Sequence, residues 1–437
     1  MTAYWAPHAW LPSGVADDVR ISVSDGRITA VGTGVPASGD DVRLPGVVLP
    51  GLANAHSHAF HRALRGRTHA DGGSFWTWRT VMYDVARRLD PDSYLALARA
   101  VYAEMALAGV TTVGEFHYVH HNPDGTAYDD PNAMGEALRQ AAVDAGIRIT
   151  LLDTCYLTGG LTADGYTPLN EVQRRFGDGD ADAWAARVAD LKPSANLRVG
   201  AAIHSVRAVP ADQLGTVASF SPESPLHVHL SEQPAENEAC LALHHKTPTA
   251  LLKDAGVLSG RTSLVHATHL TDTDITDLSG TFACFCPTTE RDLADGIGPA
   301  RALADAGATL TLGSDQHAVI DLFEEARGLE MHERLSTRQR GRFSPAELLQ
   351  ALTGDGHRSL GWDELGRLEP GAPADLVAVR LDSVRTAGTQ PSQAVYSATA
   401  TDVDTVVVGG EMVVSEGRHR LGDVGALLRS AIDNLSN

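Results

Sequence analysis

Leu49-Pro50-Gly51-Leu52-Ala53-Asn54-Ala55-His56-Ser57-His58 is an apolar run that ends in two histidines separated by one residue. Side chains alternate along a β-strand, so His56 and His58 share a face if this run is extended. Neutral imidazole nitrogens at the end of a strand suit zinc, iron or nickel. The same pair is also compatible with two polar histidines that face solvent. The rest of the chain has to decide between these interpretations.

The composition indicates a soluble, globular protein. The chain has 437 residues, of which 43% are hydrophobic and 21% charged, enough for one large α/β domain and a smaller one. No apolar segment approaches the ~20 residues that cross a membrane, and no basic-then-apolar signal pattern opens the chain, so we expect a cytoplasmic protein without a membrane partner. The net charge of −20 argues against nucleic acid as a partner, and an anionic substrate would need a local cluster of cations.

The central part of the chain alternates short apolar runs with longer amphipathic helical patterns, which is typical of βα units around a parallel sheet. Eight such runs predict a distorted TIM (β/α)8 barrel over residues 49–367. The predicted barrel strands are Gly51–Ala55, Thr111–Phe116, Arg148–Asp153, Arg198–Ile203, Leu226–Leu230, Ser263–His266, Thr281–Cys286 and Thr309–Gly313. Helices are predicted over Pro91–Ala108 and Asn132–Ala145, each followed by a glycine.

The two ends of the chain predict a second, smaller domain. Arg20–Val23 and Ile28–Val31 flank Asp25-Gly26, a dipeptide that favours a two-residue hairpin turn. Strand patterns return at Asp375–Val379 and Thr405–Gly410. Neither end is large enough to fold alone, so we predict one small β-sandwich domain built from residues 1–48 and 368–437.

Polar side chains follow four of the predicted barrel strands. His56 and His58 follow the first, His227-Val228-His229-Leu230-Ser231-Glu232 the fifth, His266 the sixth and Gly313-Ser314-Asp315 the eighth. In a barrel of this type the chemistry lies at the C-terminal ends of the strands. Any one of these residues is compatible with a structural role, but four strand ends with metal-ligand or acid/base side chains predict a metal site.

These motifs resemble the amidohydrolase superfamily and its deaminase branch. The resemblance rests on Pro50-Gly51-Leu52 before His56-Ser57-His58, on His229 three residues before Glu232, on His266 and on Ser314-Asp315. It implies one divalent metal ion, most simply zinc with iron or nickel as alternatives. The implied metal ligands are His56, His58, His229 and Asp315, and the implied proton-transfer residues are Glu232, His266 and Asp315.

The same resemblance separates neighbouring candidates and sets the number of metal ions. The family pattern selects His229 over His227 and His266 over His269. Dinuclear members carry a modified lysine at the end of the fourth strand. The run Arg198–Ile203 contains no lysine and is followed by a histidine, so one metal ion is expected.

Longer motifs narrow the resemblance to the formimidoylglutamate deiminases. They are His58-Ala59-Phe60-His61-Arg62-Ala63, Phe75-Trp76-Thr77-Trp78-Arg79, Glu115-Phe116-His117-Tyr118-Val119-His120-His121 and Cys286-Pro287-Thr288-Thr289-Glu290. The family removes ammonia from N-formimidoyl-L-glutamate in histidine degradation and leaves N-formyl-L-glutamate. The chain departs from it at His61, where glutamine is frequent, although both side chains can hydrogen-bond a carboxylate. A homodimer is also implied.

A substrate with two carboxylates needs fixed cations on an acidic protein. Arg79, in the loop after the first strand, and Arg207, just beyond the fourth, can each bind a carboxylate through two parallel N–H groups. His61, Tyr118 and His204 follow neighbouring strands and are predicted to complete the substrate-binding set.

Three alternatives stay open at this point. A related deaminase could act on a nucleobase such as guanine or on another cyclic amidine, for which an apolar stacking pocket is expected. A hydrolase could open a cyclic amide with the same metal chemistry. An inactive barrel could serve as a scaffold, although the intact set of strand-end residues argues against that role.

Overall fold

A computed structural model describes residues 2–69 and 75–436, except for the side chains of residues 75, 76 and 436. The predicted motif residues Phe75 and Trp76 therefore lie outside the described side chains. The strands, in chain order, are β1 (Thr2–Leu11), β2 (Gly14–Ser24), β3 (Arg27–Gly32), β4 (Val42–Arg43), β5 (Val47–Pro50), β6 (Leu52–Ser57), β7 (Val110–His117), β8 (Arg148–Cys155), β9 (Gly160–Thr162), β10 (Gly165–Thr167), β11 (Leu197–Ile203), β12 (Leu226–Leu230), β13 (Thr262–His266), β14 (Phe282–Phe285), β15 (Thr309–Leu312), β16 (Leu376–Val379), β17 (Val403–Val408), β18 (Glu411–Ser415) and β19 (Arg418–His419).

The α-helices lie mainly between the barrel strands. In chain order they are α1 (Phe75–Arg88), α2 (Pro91–Leu107), α3 (Ala133–Ala145), α4 (Ala181–Val188), α5 (Leu214–Ser219), α6 (Pro234–His244), α7 (Pro248–Asp254), α8 (Asp272–Asp277), α9 (Pro287–Asp292), α10 (Ala300–Asp305), α11 (Leu322–Thr337), α12 (Pro345–Leu352), α13 (Gly354–Ser359) and α14 (Val424–Ser436). Short 3-10 helices span Ala59–Leu64, Gln173–Phe176, Pro391–Tyr396 and Ala400–Asp402. Among the described residues, no helix is both long enough and apolar enough to cross a membrane.

The predicted barrel is confirmed. Eight strands form a parallel sheet in the order β6-β7-β8-β11-β12-β13-β14-β15, and each coincides with one of the predicted runs to within a few residues. Nearly continuous burial along β7, β8 and β12 is expected for strands covered on both faces. The chain order of the strands is also their spatial order, so their C-terminal ends gather at one rim.

The barrel closes where the first and eighth strands meet. Asp315 N–H donates to the His56 carbonyl (3.0 Å), and His58 N–H donates to the Asp315 carbonyl (3.1 Å). Gly313 permits this approach, because a Cβ atom there would lie 2.7 Å from the His56 Cβ and 2.8 Å from its carbonyl oxygen. The closure therefore holds three of the predicted metal ligands next to one another through backbone contacts.

The small β-domain built from both ends of the chain is also confirmed. Strands β19-β18-β17-β16-β5-β1-β2-β3 form a mixed sheet, with β4 paired to β1. Asp25 (φ 52°) and Gly26 (φ 74°) make the predicted hairpin turn between β2 and β3. Strand β5 pairs with β16 and leads into β6, so it joins this sheet to the barrel. The exact boundaries at 48/49 and 367/368 stay predictions.

The two predicted helices are confirmed as α2 and α3. Helix α2 begins with a capping box in which Asp90 accepts from the Ser93 backbone N–H and Ser93 reciprocates. Helix α3 ends at Gly146, which has a left-handed φ of 79° and donates back to the last turn. These signals are local to the chain, which is why they could be read from sequence.

Candidate active site

The four predicted metal ligands converge at the C-terminal rim of the barrel. His56 Nε2 lies 3.1 Å from His229 Nε2 and 3.4 Å from Asp315 Oδ1, and His58 Nε2 also lies 3.4 Å from Asp315 Oδ1. All four side chains are buried. Three nitrogens and a carboxylate from the first, fifth and eighth strands thus point at one small volume.

Backbone carbonyls fix the orientation of two of these rings. His58 Nδ1 donates to the Phe116 carbonyl (2.9 Å), and His229 Nδ1 donates to the His204 carbonyl (2.8 Å). A neutral imidazole that donates through Nδ1 keeps the Nε2 lone pair available for a metal ion. The chain therefore presents Nε2 acceptors to a common centre, which fits a bound cation.

The protonation states fit as well. Burial lowers the pKa of His56 to about 3 and also lowers the pKa of His58 and His229. Burial alone would raise the pKa of Asp315, but its hydrogen bond to His56 and the nearby histidines hold that pKa well below its usual range. Neutral imidazoles and an ionised carboxylate are the forms that bind a divalent cation.

Strained backbone accompanies these strand ends. His266 (φ 69°), Asp315 (φ 42°) and Ser231 (φ 50°) all occupy the left-handed region, which L-residues other than asparagine and aspartate rarely adopt. Such strain gathers at functional sites because it aims side chains in directions that regular strands do not permit. Here it turns the side chains after β12, β13 and β15 over the mouth of the barrel.

The predicted proton-transfer residues surround His266. Its Nε2 is 3.7 Å from both Glu232 Oε1 and Asp315 Oδ2, and its Nδ1 is 3.5 Å from Glu290 Oε1. Burial opposes the charged imidazole, but Glu232, Glu290 and Asp315 together raise the pKa of His266 well above its usual value. Burial raises the pKa of Glu232, with His266 and Arg207 opposing the rise. The site therefore holds an imidazolium next to a carboxyl group with a high proton affinity.

Three of the predicted substrate-binding residues line one side of this centre. His61, on the 3-10 helix after β6, has its Nε2 2.9 Å from the Tyr118 hydroxyl. The His204 ring is 5.1 Å from the His229 ring and 5.5 Å from the Tyr118 ring, centroid to centroid. His61 also comes within 4.8 Å of His58 and Asp315, so it lies between the predicted ligands and the predicted substrate-binding surface.

The two predicted substrate arginines influence His204 through their charges. Burial lowers the pKa of His204 well below its usual value, and the charges of Arg207 and Arg79 lower it further. Arg207 Nε donates to Glu236 Oε2 (2.7 Å), and Arg79 Nη2 donates to the Tyr156 hydroxyl (3.2 Å). The prediction that Arg79 lies in a loop is wrong, because it belongs to helix α1.

The predicted choice between neighbouring histidines agrees with the geometry. His227 Nε2 lies 3.1 Å from the Ser359 carbonyl, deeper in the barrel, whereas His229 faces His56. His269 belongs to none of the potential metal-binding groups among the described residues, whereas His266 belongs to two.

Sequence reasoning missed several side chains that brace the site. Glu236 accepts from both Arg207 and the Ser231 backbone, and it lies four residues after Glu232 in sequence. Buried Glu115 accepts from Ser57 Oγ (2.7 Å) and Ala59 N–H (2.6 Å), and burial raises its pKa to about 7. Glu115 and Glu290 lie within motifs already singled out, so the glutamate in each of those motifs was the available signal.

A second group, His117, His120 and Asp153, also has potential ligand atoms within 4.8 Å of one another. Both carboxylate oxygens of Asp153 already accept hydrogen bonds from Arg187, and one accepts from Trp184 as well. A cation in van der Waals range of that guanidinium would be repelled, so this group is a buried ionic network.

The fold and the donor set define a metal-dependent hydrolase barrel, and the amidohydrolase family matches residues 47–413. The chain belongs to this family, whose members bind a divalent metal. Residues 1–44 further match the N-terminal domain described as formimidoylglutamate deiminase HutF. A family and its more specific N-terminal module thus account for nearly all of the chain.

Individual relatives agree with this assignment. The formimidoylglutamate deiminase of Pseudomonas aeruginosa is 36% identical over 440 residues, covering 96% of each chain. The solved structure of an amidohydrolase from Brucella melitensis superposes with a TM-score of 0.92 at 35% identity over 100% of both chains. An adenosine deaminase from Xanthomonas campestris with bound zinc shares the fold (TM-score 0.83, 24% identity, 100% of this chain and 98% of that one).

Proposed function

We propose that this chain hydrolyses N-formimidoyl-L-glutamate to N-formyl-L-glutamate and ammonia, a step of histidine degradation. The similarity to the Pseudomonas deiminase over 96% of both chains supports the substrate. The electrostatics of the site carry the proposal further: the charges of Arg207 and Arg79 lower the pKa of His204, whose ring lies 5.1 Å from that of His229.

This observation favours a dicarboxylate over a nucleobase. The protein carries a net charge of −20, so two arginines at a buried site are a local reversal of its overall charge. A guanidinium binds a carboxylate through parallel N–H groups, and Glu236 occupies only the Nε of Arg207. We assign Arg79 and Arg207 to the two substrate carboxylates, with His61, Tyr118 and His204 as further hydrogen-bonding partners.

We assign His56, His58, His229 and Asp315 as the ligands of one divalent cation. When bound, such an ion acts as a Lewis acid that makes water reactive near neutral pH. The nitrogen-rich donor set suits zinc, with iron or nickel as alternatives. Inductively coupled plasma analysis of protein purified without added metal, repeated on a His58→Ala variant, tests both the identity and the site of the ion.

The protein side chains then move the protons. Asp315, ionised because its pKa is lowered, accepts a proton from the attacking water. His266 donates an N–H hydrogen bond to the oxygen that adds to the formimidoyl carbon. Glu232, whose pKa is raised, protonates the imino nitrogen, which becomes an amino group on a tetrahedral carbon. Asp315 then passes the proton it took from water to this nitrogen, and Glu232 takes up the proton of the new hydroxyl group. The carbon–nitrogen bond breaks, ammonia leaves, and both side chains return to their starting protonation states. Oxygen from water remains on the carbon as the formyl group.

Product analysis tests the proposal. Purified protein loaded with zinc should release ammonia and N-formyl-L-glutamate in a one-to-one ratio from N-formimidoyl-L-glutamate. Absence of both products from protein that carries stoichiometric metal would contradict the proposed activity.

Two further features predicted from the family resemblance belong to the same proposal. We infer a homodimer and a cytoplasmic location. Sedimentation of the purified protein at several concentrations tests the first, and fractionation of the native cell tests the second.

A further inference from the structure

Asp295 lies after helix α9, in the connection that follows the seventh barrel strand, and no role above uses it. Its side chain is only 3% exposed. One carboxylate oxygen, Oδ1, accepts from the Gln233 side-chain amide. The other, Oδ2, is buried without a hydrogen-bond partner among the described residues. An ionised oxygen in that position is costly, whereas a carboxyl O–H turns the same atom into a donor.

The surroundings of Asp295 are rich in acidic groups. A carboxylate oxygen of Asp295, a carboxylate oxygen of Glu232 and a ring nitrogen of His266 lie within 4.8 Å of one another. The Asp295 backbone N–H also donates to the Glu290 carbonyl (3.0 Å), which ties the loop to the carboxylate that contacts His266.

The charge balance at Asp295 follows from these neighbours. Burial is the largest cause that raises the pKa of Asp295, and nearby Glu232, Glu290 and Asp315 raise it further. His266 opposes them, and the resulting pKa is about 9. Three acidic side chains, Glu232, Glu290 and Asp315, therefore share one imidazolium with Asp295. The neutral form of Asp295 satisfies both the charge balance and the unpaired oxygen.

We propose that Asp295 is a neutral carboxyl group that directs its O–H toward Glu232, and that it positions Glu232 for proton transfer. The inference rests on the proposed role of Glu232 as proton donor. The carboxyl oxygens of Asp295 and Glu232 lie within 4.8 Å of each other, a gap that a rotation of the Asp295 side chain or one bridging water closes. When Glu232 has given its proton to the leaving nitrogen, the Asp295 O–H stabilises the carboxylate that remains. Asp295 itself keeps its proton throughout.

Two substitutions separate this role from a purely structural one. Asp295→Asn is neutral, keeps an acceptor for Gln233 and offers an N–H donor to Glu232, so kcat should stay within about threefold of the wild-type value. Asp295→Leu has a similar size and no donor. Loss of a hydrogen bond to a charged group should lower its kcat by about tenfold to a hundredfold while KM changes little. Asp305→Asn, the same substitution at a side chain that is 64% exposed, serves as the control.

The pH profile gives a second readout. Above a pKa of about 9, ionised Asp295 places a negative charge beside Glu232, so wild-type kcat should fall as the pH rises through this value. The part of the fall that is centred near this pKa should be absent in Asp295→Asn and present in Asp305→Asn, whereas any fall caused by ionisation of Glu232 should be common to both variants. At neutral pH, the infrared difference spectrum of wild type minus Asp295→Asn should contain the carbonyl band of one protonated carboxyl group, and the difference spectrum of wild type minus Asp305→Asn should lack it.

The kinetics, the pH profile and the infrared band each test the proposed role of Asp295. An Asp295→Asn variant as slow as Asp295→Leu, an unchanged fall of kcat near pH 9 in Asp295→Asn, or no carboxyl band in the infrared difference spectrum would each overturn the inference. Wild-type protein that releases no ammonia from N-formimidoyl-L-glutamate would instead contradict the proposed function, and the infrared comparison would still decide the protonation state of Asp295.

Discussion

The ligand side of the site (His56, His58, His229 and Asp315) and its substrate side (His61, Arg79, Tyr118, His204 and Arg207) are built in different ways. Every residue of the ligand side lies at the C-terminal end of a barrel strand or just after it. Backbone hydrogen bonds hold the rings of His58 and His229 and the chain segment at Asp315. The substrate side draws on helix α1, a 3-10 helix and the segments after β7 and β11, and its contacts are mostly between side chains.

The difference between the two sides shows which parts of the barrel hold the metal ligands and which contact the substrate. Strand ends cannot shift without disturbing the sheet, so they keep a metal site and its proton donors fixed. Helices and loops outside the sheet can exchange side chains at lower cost, so they are suited to determining which substrate is accepted. Substitutions on the ligand side should therefore change turnover or metal content, and substitutions on the substrate side should change KM.

The largest expected effect is that of Glu232→Gln. Glutamine keeps the size of the side chain but cannot donate the proton that the leaving nitrogen needs, so kcat should fall by about 10²–10⁴-fold. Metal content should stay at the wild-type level because Glu232 is not an assigned ligand. Unchanged kcat in a fully metallated variant would remove Glu232 from its role.

Arg207→Met should act mainly on binding. Removing a charge-assisted hydrogen bond costs about 1.5–3 kcal/mol, so kcat/KM for N-formimidoyl-L-glutamate should fall about tenfold to a hundredfold, chiefly through KM. Arg198→Met, at the opposite end of the same strand region and stacked on Trp362, is the control and should leave the kinetics unchanged. An unchanged KM in Arg207→Met would refute the assigned carboxylate contact.

Gly313→Ala tests the barrel closure that supports the ligand side. The new Cβ would lie 2.7 Å from the His56 Cβ, so β6 and β15 must separate, at a cost of about 1–3 kcal/mol in the free energy of unfolding. Metal affinity should fall with it, because the same contact aligns His56 with Asp315. Gly39→Ala, where a Cβ meets nothing within 4 Å, is the matched control. Equal unfolding midpoints for the two variants would contradict the role of the closure.

Tyr118→Phe should give the smallest effect. It removes the hydroxyl that lies 2.9 Å from His61 Nε2, a hydrogen bond worth about 0.5–1.5 kcal/mol, so KM should rise by about twofold to tenfold with kcat nearly preserved. Tyr396→Phe removes a hydroxyl that donates to the Phe343 carbonyl and serves as the control. A fall in kcat without a change in KM would move Tyr118 from the substrate side to the chemistry.

The contrast between the two sides also explains what the sequence could predict. The barrel strands are short apolar runs, and His56 and His58 share a face through simple alternation, so the rim and its metal-ligand types were readable locally. Helix α1 was not recognised, although Trp78, Met82 and Ala86 recur at four-residue spacing and are buried. Its loop assignment therefore misplaced Arg79.

The supporting carboxylates were beyond local reasoning. Glu236 and Asp295 matter through partners that the fold brings to them, Arg207 in one case and Glu232 in the other. A single sequence shows neither their burial nor these contacts. Their importance follows only from the tertiary arrangement, where an unpaired buried oxygen or a braced guanidinium becomes visible.

We propose that this acidic amidohydrolase barrel uses Arg79 and Arg207 to select a dicarboxylate amidine. The most direct measurement is ammonia release by the zinc-loaded protein with N-formimidoyl-L-glutamate, N-formimidoyl-L-aspartate and guanine side by side. We expect the highest kcat/KM for N-formimidoyl-L-glutamate, a lower value for the shorter aspartate analogue and no turnover of guanine. A higher kcat/KM for guanine than for N-formimidoyl-L-glutamate would contradict this proposal.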